Sequence, residues 1–211
     1  MKLHVAPPSP RAIKVLATMN HLGIDVDVEP LDLLNGENMR PAFAALNPNR
    51  LMPVLEDDGF VLWESNAIMQ YLASKRADQS LWPSDPRKQA DVSRWQCWEL
   101  AHWGRACSTI LFERFVKRLF GQGDPNPAEV ERAEQEFHRF AQVLNDHLKG
   151  RDWLVGQGIT LADMTVGAWM TYAAQAHYPL EPFPEITRWY ERLEAVPAWK
   201  KATASLIPMP A

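Results

Sequence analysis

Two segments of this 211-residue chain hold side chains whose types and spacing suit the capture of an extended peptide. The first is Asn47-Pro48-Asn49-Arg50-Leu51-Met52-Pro53-Val54-Leu55. Proline lacks a backbone donor, so Pro53 fits only the first residue, the edge or a bulge of the strand it introduces. If the Met52–Pro53 bond is cis, the Met52 backbone turns outward and can pair with a peptide-like ligand as an added strand. The second segment is Trp63-Glu64-Ser65-Asn66-Ala67-Ile68, in which Glu64-Ser65 marks a strand-to-helix junction. The Ser65 hydroxyl and the open N–H groups of a helix start suit a carboxylate, and Glu64 beside them suits an ammonium. Those two charges together describe an α-amino-acid head group. A peptide lying on Met52, with that head group at Glu64-Ser65, has its middle near Ser9.

These residues need elements to position them. Leu3–Val5 reads as a brief strand, and Ala6-Pro7-Pro8 cannot be helix interior. Ser9-Pro10 reads as a helix start, with Ser at the N-cap and Pro at the first helical position; Gly23 ends that helix. Asp25–Leu31 alternates as a second strand, and Pro41–Leu46 is at best a short helix stopped by Asn47-Pro48. Val54–Glu56 and Val61–Trp63 flank Asp57-Asp58-Gly59, a hairpin signal, and Glu64-Ser65 opens a helix through Leu72. The order is β-α-β-α-β-β-α. Beyond a Pro-rich stretch at 78–86 the pattern is helical: Arg87–Gly121, Ala128–Lys149, Leu161–His177, Pro184–Ala195 and Ala198–Ser205. Thr160-Leu161-Ala162-Asp163 fits a capping box, with Ile159 and Met164 as its hydrophobic staple.

Composition narrows the classes. Hydrophobic residues make up 46% and charged residues 23%, as in an ordinary globular protein, and a net charge of −4 argues against a nucleic-acid partner. No apolar run approaches the ~20 residues that span a bilayer, so no membrane partner is expected. Cys97 and Cys107 lie ~15 Å apart along one helix and cannot bridge each other. No Cys-x-x-Cys and no Cys/His cluster has metal-site spacing, so no metal is expected and a reducing, cytoplasmic location is.

Met52-Pro53-Val54-Leu55, Glu64-Ser65-Asn66-Ala67-Ile68 and the Thr160–Asp163 box, in this order, resemble three motifs of the cytosolic glutathione S-transferase family. The resemblance covers the whole chain and points to the bacterial, theta- and zeta-like serine type. It implies an α+β thioredoxin-like domain (βαβαββα) over residues 1–77, a linker at 78–86 and an all-α helical bundle over 87–211. It also implies glutathione as co-substrate, held by Arg50, Leu51, Met52, Pro53, Glu64 and Ser65. Ser9 matches the family's catalytic serine, six residues before Val15. Its hydroxyl would donate a hydrogen bond to the glutathione sulfur while the helix dipole favours thiolate over thiol. The thiolate would then attack a small hydrophobic electrophile held by the helical domain of a homodimer.

Some residues depart from that pattern or keep a plainer alternative. The family often has Arg four residues after the serine, where Ile13 stands, with Arg11 only two after. Arg50 stands where a small residue is common, and either reaches the glycine carboxylate of glutathione or is solvated. Ser9 is a good helix cap whether or not it is catalytic. Nine tryptophans lie in the chain, all but Trp63 after residue 77. Trp95, Trp98, His102 and Trp103 are the candidates for the acceptor pocket, against the alternative that such aromatics pack helices or a dimer. The rival functions are a non-catalytic ligand-binding relative and a glutathione-dependent peroxidase, isomerase or dehalogenase.

Overall fold

A computed structural model describes residues 1–6, 9–33, 35–77 and 79–204. The turn expected at Pro7-Pro8, the first linker residue Asp78 and the last helix's end at Ser205 lie outside them. The chain forms two compact units, one of Met1–Trp82 with the segment from Val196, the other of Pro83–Ala195.

The first unit is a four-stranded sheet with helices. β1 (Lys2–Val5) pairs in parallel with β2 (Asp27–Pro30), and α1 (Pro10–Leu22) supplies the crossover that parallel pairing requires. Gly23 caps α1 in the left-handed region (φ 59°) that residues with a Cβ avoid. After α2 (Pro41–Leu46), β3 (Val54–Asp57) returns antiparallel to β1 and makes a hairpin with β4 (Phe60–Trp63), giving the order β2-β1-β3-β4. Asp58 (φ 48°) and Gly59 (φ 84°) form its two-residue turn, with the positive φ values that match the right-handed twist of the strands. α3 (Ser65–Ser74) follows β4 directly, and the N-terminal order is the expected one.

α1 is buried around more of its circumference than one apolar stripe provides, because it packs on both α3 and α11 (Pro197–Thr203). α11 groups with the first compact unit, where Asn20 Nδ2 donates to Ala198 O (3.3 Å).

The second unit is helical. One long run holds α4 (Pro86–Trp98), α5 (Gly104–Leu111) and α6 (Lys117–Leu119), with wider π turns at Glu99–Trp103 and Phe112–Val116 between them. α7 (Pro127–Leu148) packs on α5, and α10 (Pro184–Glu194) packs on α7 and on α8 (Leu161–Gly167). Between α8 and α10 lies the short α9 (Ala173–Ala176). Every residue of α8 is buried, so its start needs internal partners. Asp163 provides them: Oδ2 accepts from Thr160 N (2.9 Å) and Thr160 Oγ1 (3.0 Å), Oδ1 from Leu154 N (2.9 Å) and the Trp189 indole (3.0 Å). Burial pushes the Asp163 carboxyl above its ordinary range, and those bonds offset only part of the rise. No helix of the described residues is long and apolar enough to cross a membrane.

Candidate active site

Strand register assembles the site. His4, Val54 and Trp63 lie in one row across β1, β3 and β4. The chain after Val5, the Met52–Pro53 bond before Val54, and Glu64-Ser65 after Trp63 therefore all leave the same end of the sheet. Segments far apart in sequence thus bring Ser9, Met52 and Ser65 to one rim.

Ser9 is half-buried with extended backbone (φ −70°, ψ 133°), and its Oγ accepts from Arg11 N at 3.3 Å. Ser9 O accepts from Ala12 N (2.9 Å) and Ile13 N (3.0 Å), so the residue caps α1. The Oγ acts as acceptor in the cap, and a hydroxyl that accepts keeps its own proton to donate.

The 47–53 loop is organised by Asn47, a buried residue whose sequence context marks it only as a helix stop. Its Nδ2 donates to Leu51 O (2.7 Å), its Oδ1 accepts from Asn49 N (3.0 Å), and its carbonyl accepts from Arg50 N (2.9 Å). Arg50 stands in the left-handed region (φ 57°) with an exposed side chain, and Asn38 Nδ2 donates to its carbonyl (3.0 Å). Leu51 is 65% exposed, Met52 is half-buried and Pro53 is buried, and the Met52–Pro53 peptide is cis. The only sequence signal for Asn47 was the turn-forming Asn-Pro pair itself.

Glu64 is exposed and adopts φ 74°, ψ 110°, a strained backbone for a residue with a Cβ. Ser65 follows as the first residue of α3. It is 2% exposed, and its Oγ has no hydrogen-bond partner among the described residues. A buried hydroxyl left in that state is costly, and a ligand that completes it is one reason to keep it. Next to it, Asn66 Oδ1 accepts from Lys14 Nζ at 2.8 Å. Lys14 is 1% exposed, and its only sequence signal was a cation inside the apolar run Ile13-Lys14-Val15.

The four aromatic candidates of the helical unit part ways. Trp103 is fully buried, donates its indole N–H to Val166 O (3.2 Å) and packs on Phe137, so it belongs to the core and not to an open pocket. The sequence places it on the same helix as the others, but the π turn at Glu99–Trp103 and the packing of α7 decide which side faces inward. His102 is exposed and stacks on Phe140 (4.9 Å between centroids). Trp95 and Trp98, with Arg94, Val143 and His147, line a shallow pocket of about 190 Å³. The Trp95 indole N–H is buried without a partner among the described residues, and burial lowers the pKa of His147.

Cys97 is exposed and Cys107 buried, both as free thiols. Burial holds the Cys107 thiol well above its ordinary pKa, so it stays protonated and unreactive. No group of three or more metal-ligating side chains occurs among the described residues.

Comparison with known proteins shows the family. Residues 1–74 match the N-terminal domain of glutathione S-transferases and residues 106–197 the C-terminal domain. Glutathione S-transferase 3 of Zea mays is 33% identical over 216 residues, spanning 100% of this chain and 96% of that protein. A glutathione S-transferase of Hyoscyamus muticus is 31% identical over 206 residues, 96% of this chain and 97% of its own. The crystal structure of glutathione transferase F7 from Populus trichocarpa superposes with a TM-score of 0.91 at 26% identity, covering 98% of this chain and 99% of that one. By sequence, fold and domain order, this chain belongs to the glutathione S-transferase family.

Proposed function

We propose that this chain is a serine-type glutathione S-transferase of the theta- and zeta-like kind. The observation that carries the reading is Ser65: a buried hydroxyl with no partner among the described residues, at the start of α3, on the rim that also holds Ser9 and Met52. The γ-glutamyl carboxylate of glutathione would accept from Ser65 Oγ and the first N–H groups of α3, where the dipole favours an anion. Glu64 would take the ammonium, Met52 the peptide backbone, and Leu51 and Pro53 would shape the loop. Arg50, exposed on that loop, would meet the glycine carboxylate.

The cysteinyl sulfur would then lie at Ser9. The hydroxyl donates a hydrogen bond to sulfur and the N-terminus of the 13-residue α1 adds its dipole, so the S–H proton leaves to solvent more readily. The thiolate attacks an electrophilic carbon, an S–C bond forms, and the electron pair departs with the leaving group or onto a conjugated acceptor. Holding both reactants together supplies much of the acceleration. The acceptor would be a small hydrophobic electrophile held by residues 87–211, with Trp95, Trp98 and His102 as the candidates to meet it, in a cytoplasmic detoxification role. A homodimer fits the exposed apolar side chains of Leu51, Phe60 and Trp63 in the first unit.

Ser9→Ala is the test. Glutathione affinity is expected to hold within about threefold while turnover with an aryl halide falls by about a hundredfold, the scale of one lost charge-stabilising donor. Unchanged turnover would make Ser9 a cap and nothing more. A parent protein that shows neither retention on immobilised glutathione nor a thermal shift with free glutathione overturns the whole reading.

A further inference from the structure

Lys14 is 1% exposed, a rare state for a lysine, because an ammonium taken out of water must be hydrogen-bonded or paired. It sits five residues into the helix that Ser9 caps, about 7.5 Å along the axis. Its Nζ donates to Oδ1 of Asn66 at 2.8 Å, and Asn66 is the second residue of α3, adjacent to Ser65. Its backbone is held too, since Thr18 Oγ1 donates to Lys14 O (2.8 Å). An apolar side chain would fill this place in the α1–α3 contact without the desolvation cost.

We propose that Lys14 is a positioning residue for glutathione. Through Asn66 it locks the first turn of α3 against α1. The hydroxyl at the γ-glutamyl end, Ser65, and the hydroxyl at the sulfur end, Ser9, are thereby held at a fixed separation. A charged donor gives a more directional tie than apolar packing, which tolerates sliding between helices. The inference rests on the proposed glutathione site, because the span that matters is the ligand's.

The test uses the full chain and three single variants, with glutathione binding by calorimetry and steady-state kinetics against an aryl halide. Lys14→Met keeps the volume and removes charge and donor. It is expected to raise both the Kd and the KM for glutathione about tenfold, the scale of a lost charged hydrogen bond, with the acceptor KM unchanged. Lys14→Arg, which keeps charge and donor, is expected to recover most of that loss. Asn66→Ala is expected to raise the KM alike, and the double variant to be no worse than the worse single. A purely structural role predicts otherwise: a lower unfolding midpoint, a kcat that falls with the active fraction, and an unmoved glutathione KM. That result, or additive effects in the double variant, overturns the proposal. If Lys14→Met does not fold, Asn66→Ala decides, and parental glutathione affinity in that variant sinks the idea. If the parent itself does not bind glutathione, the functional reading fails and not the coupling.

Discussion

Replacing Ser65 by alanine separates a residue kept for a ligand from one kept for the fold, because the two roles predict opposite signs in stability. In the free protein Ser65 Oγ is buried and has no hydrogen-bond partner among the described residues. Removing it recovers a desolvation cost of about 1–3 kcal/mol and loses only the contacts of one atom. Alanine is also the better helix former, by a few tenths of a kcal/mol. Ser65→Ala should therefore be neutral or more stable by about 1 kcal/mol, raising Tm by roughly 2–4 °C for a chain of this size. With glutathione the sign reverses. A hydrogen bond to a carboxylate contributes about 1.5–3 kcal/mol, so its loss weakens binding by roughly 10- to 150-fold. Urea unfolding measures the first quantity and isothermal titration with glutathione the second. A variant that unfolds at lower urea yet binds glutathione as the parent does would refute the argument and make Ser65 a structural residue.

Gly104 in the helical unit has no room for a side chain. A Cβ there would lie 2.9 Å from the Trp169 indole nitrogen and closer still to the Glu99 carboxylate, two groups bonded to each other at 2.6 Å. Gly104→Ala is expected to cost about 3 kcal/mol or more, seen as a drop in urea midpoint. Acid stability follows from Asp57 and Glu113. Bonds from Lys75 and Tyr71 hold the Asp57 carboxyl below its ordinary pKa, and the Asn126 N–H and Lys117 do the same for Glu113. Groups depressed on folding stabilise above their unfolded pKa, so this contribution fades as pH falls through 4.5 and 3.8 toward their lower folded values. The buried Asp163, shifted the other way, offsets part of the loss. Urea midpoints from pH 7 to pH 3 should fall less in Asp57→Asn than in the parent; parallel curves would show that the Lys75 contact has no weight.

Much of this was legible from local chemistry. Ser9-Pro10 announces a helix start, Asp57-Asp58-Gly59 a hairpin, and Thr160–Asp163 a reciprocal cap, because each depends on neighbours in the chain. The rim residues Met52, Glu64 and Ser65 were legible for the same reason, each lying at an element boundary. What stayed hidden depends on distant packing. Lys14 gives no sign in the sequence that its ammonium ends on Asn66, 52 residues away. Trp103 and Trp95 look alike in a helical pattern, and only their neighbours α7 and α8 show that Trp103 is spent on the core. The placement of α11 beside α1 likewise joins residues nearly a chain length apart.

The two π turns in the α4–α6 run have a genetic implication. Each closes its hydrogen-bonded loop with one residue more than an α turn, and one residue is about 100° of rotation around the axis. The wider turn absorbs that rotation, so losing a single codon inside Glu99–Trp103 would restore regular helix there and leave everything beyond it on its present side. Arg105 would stay exposed and Ile110 would stay in the core. At these two turns the chain can thus lose a residue without turning its faces, which a regular helix does not allow.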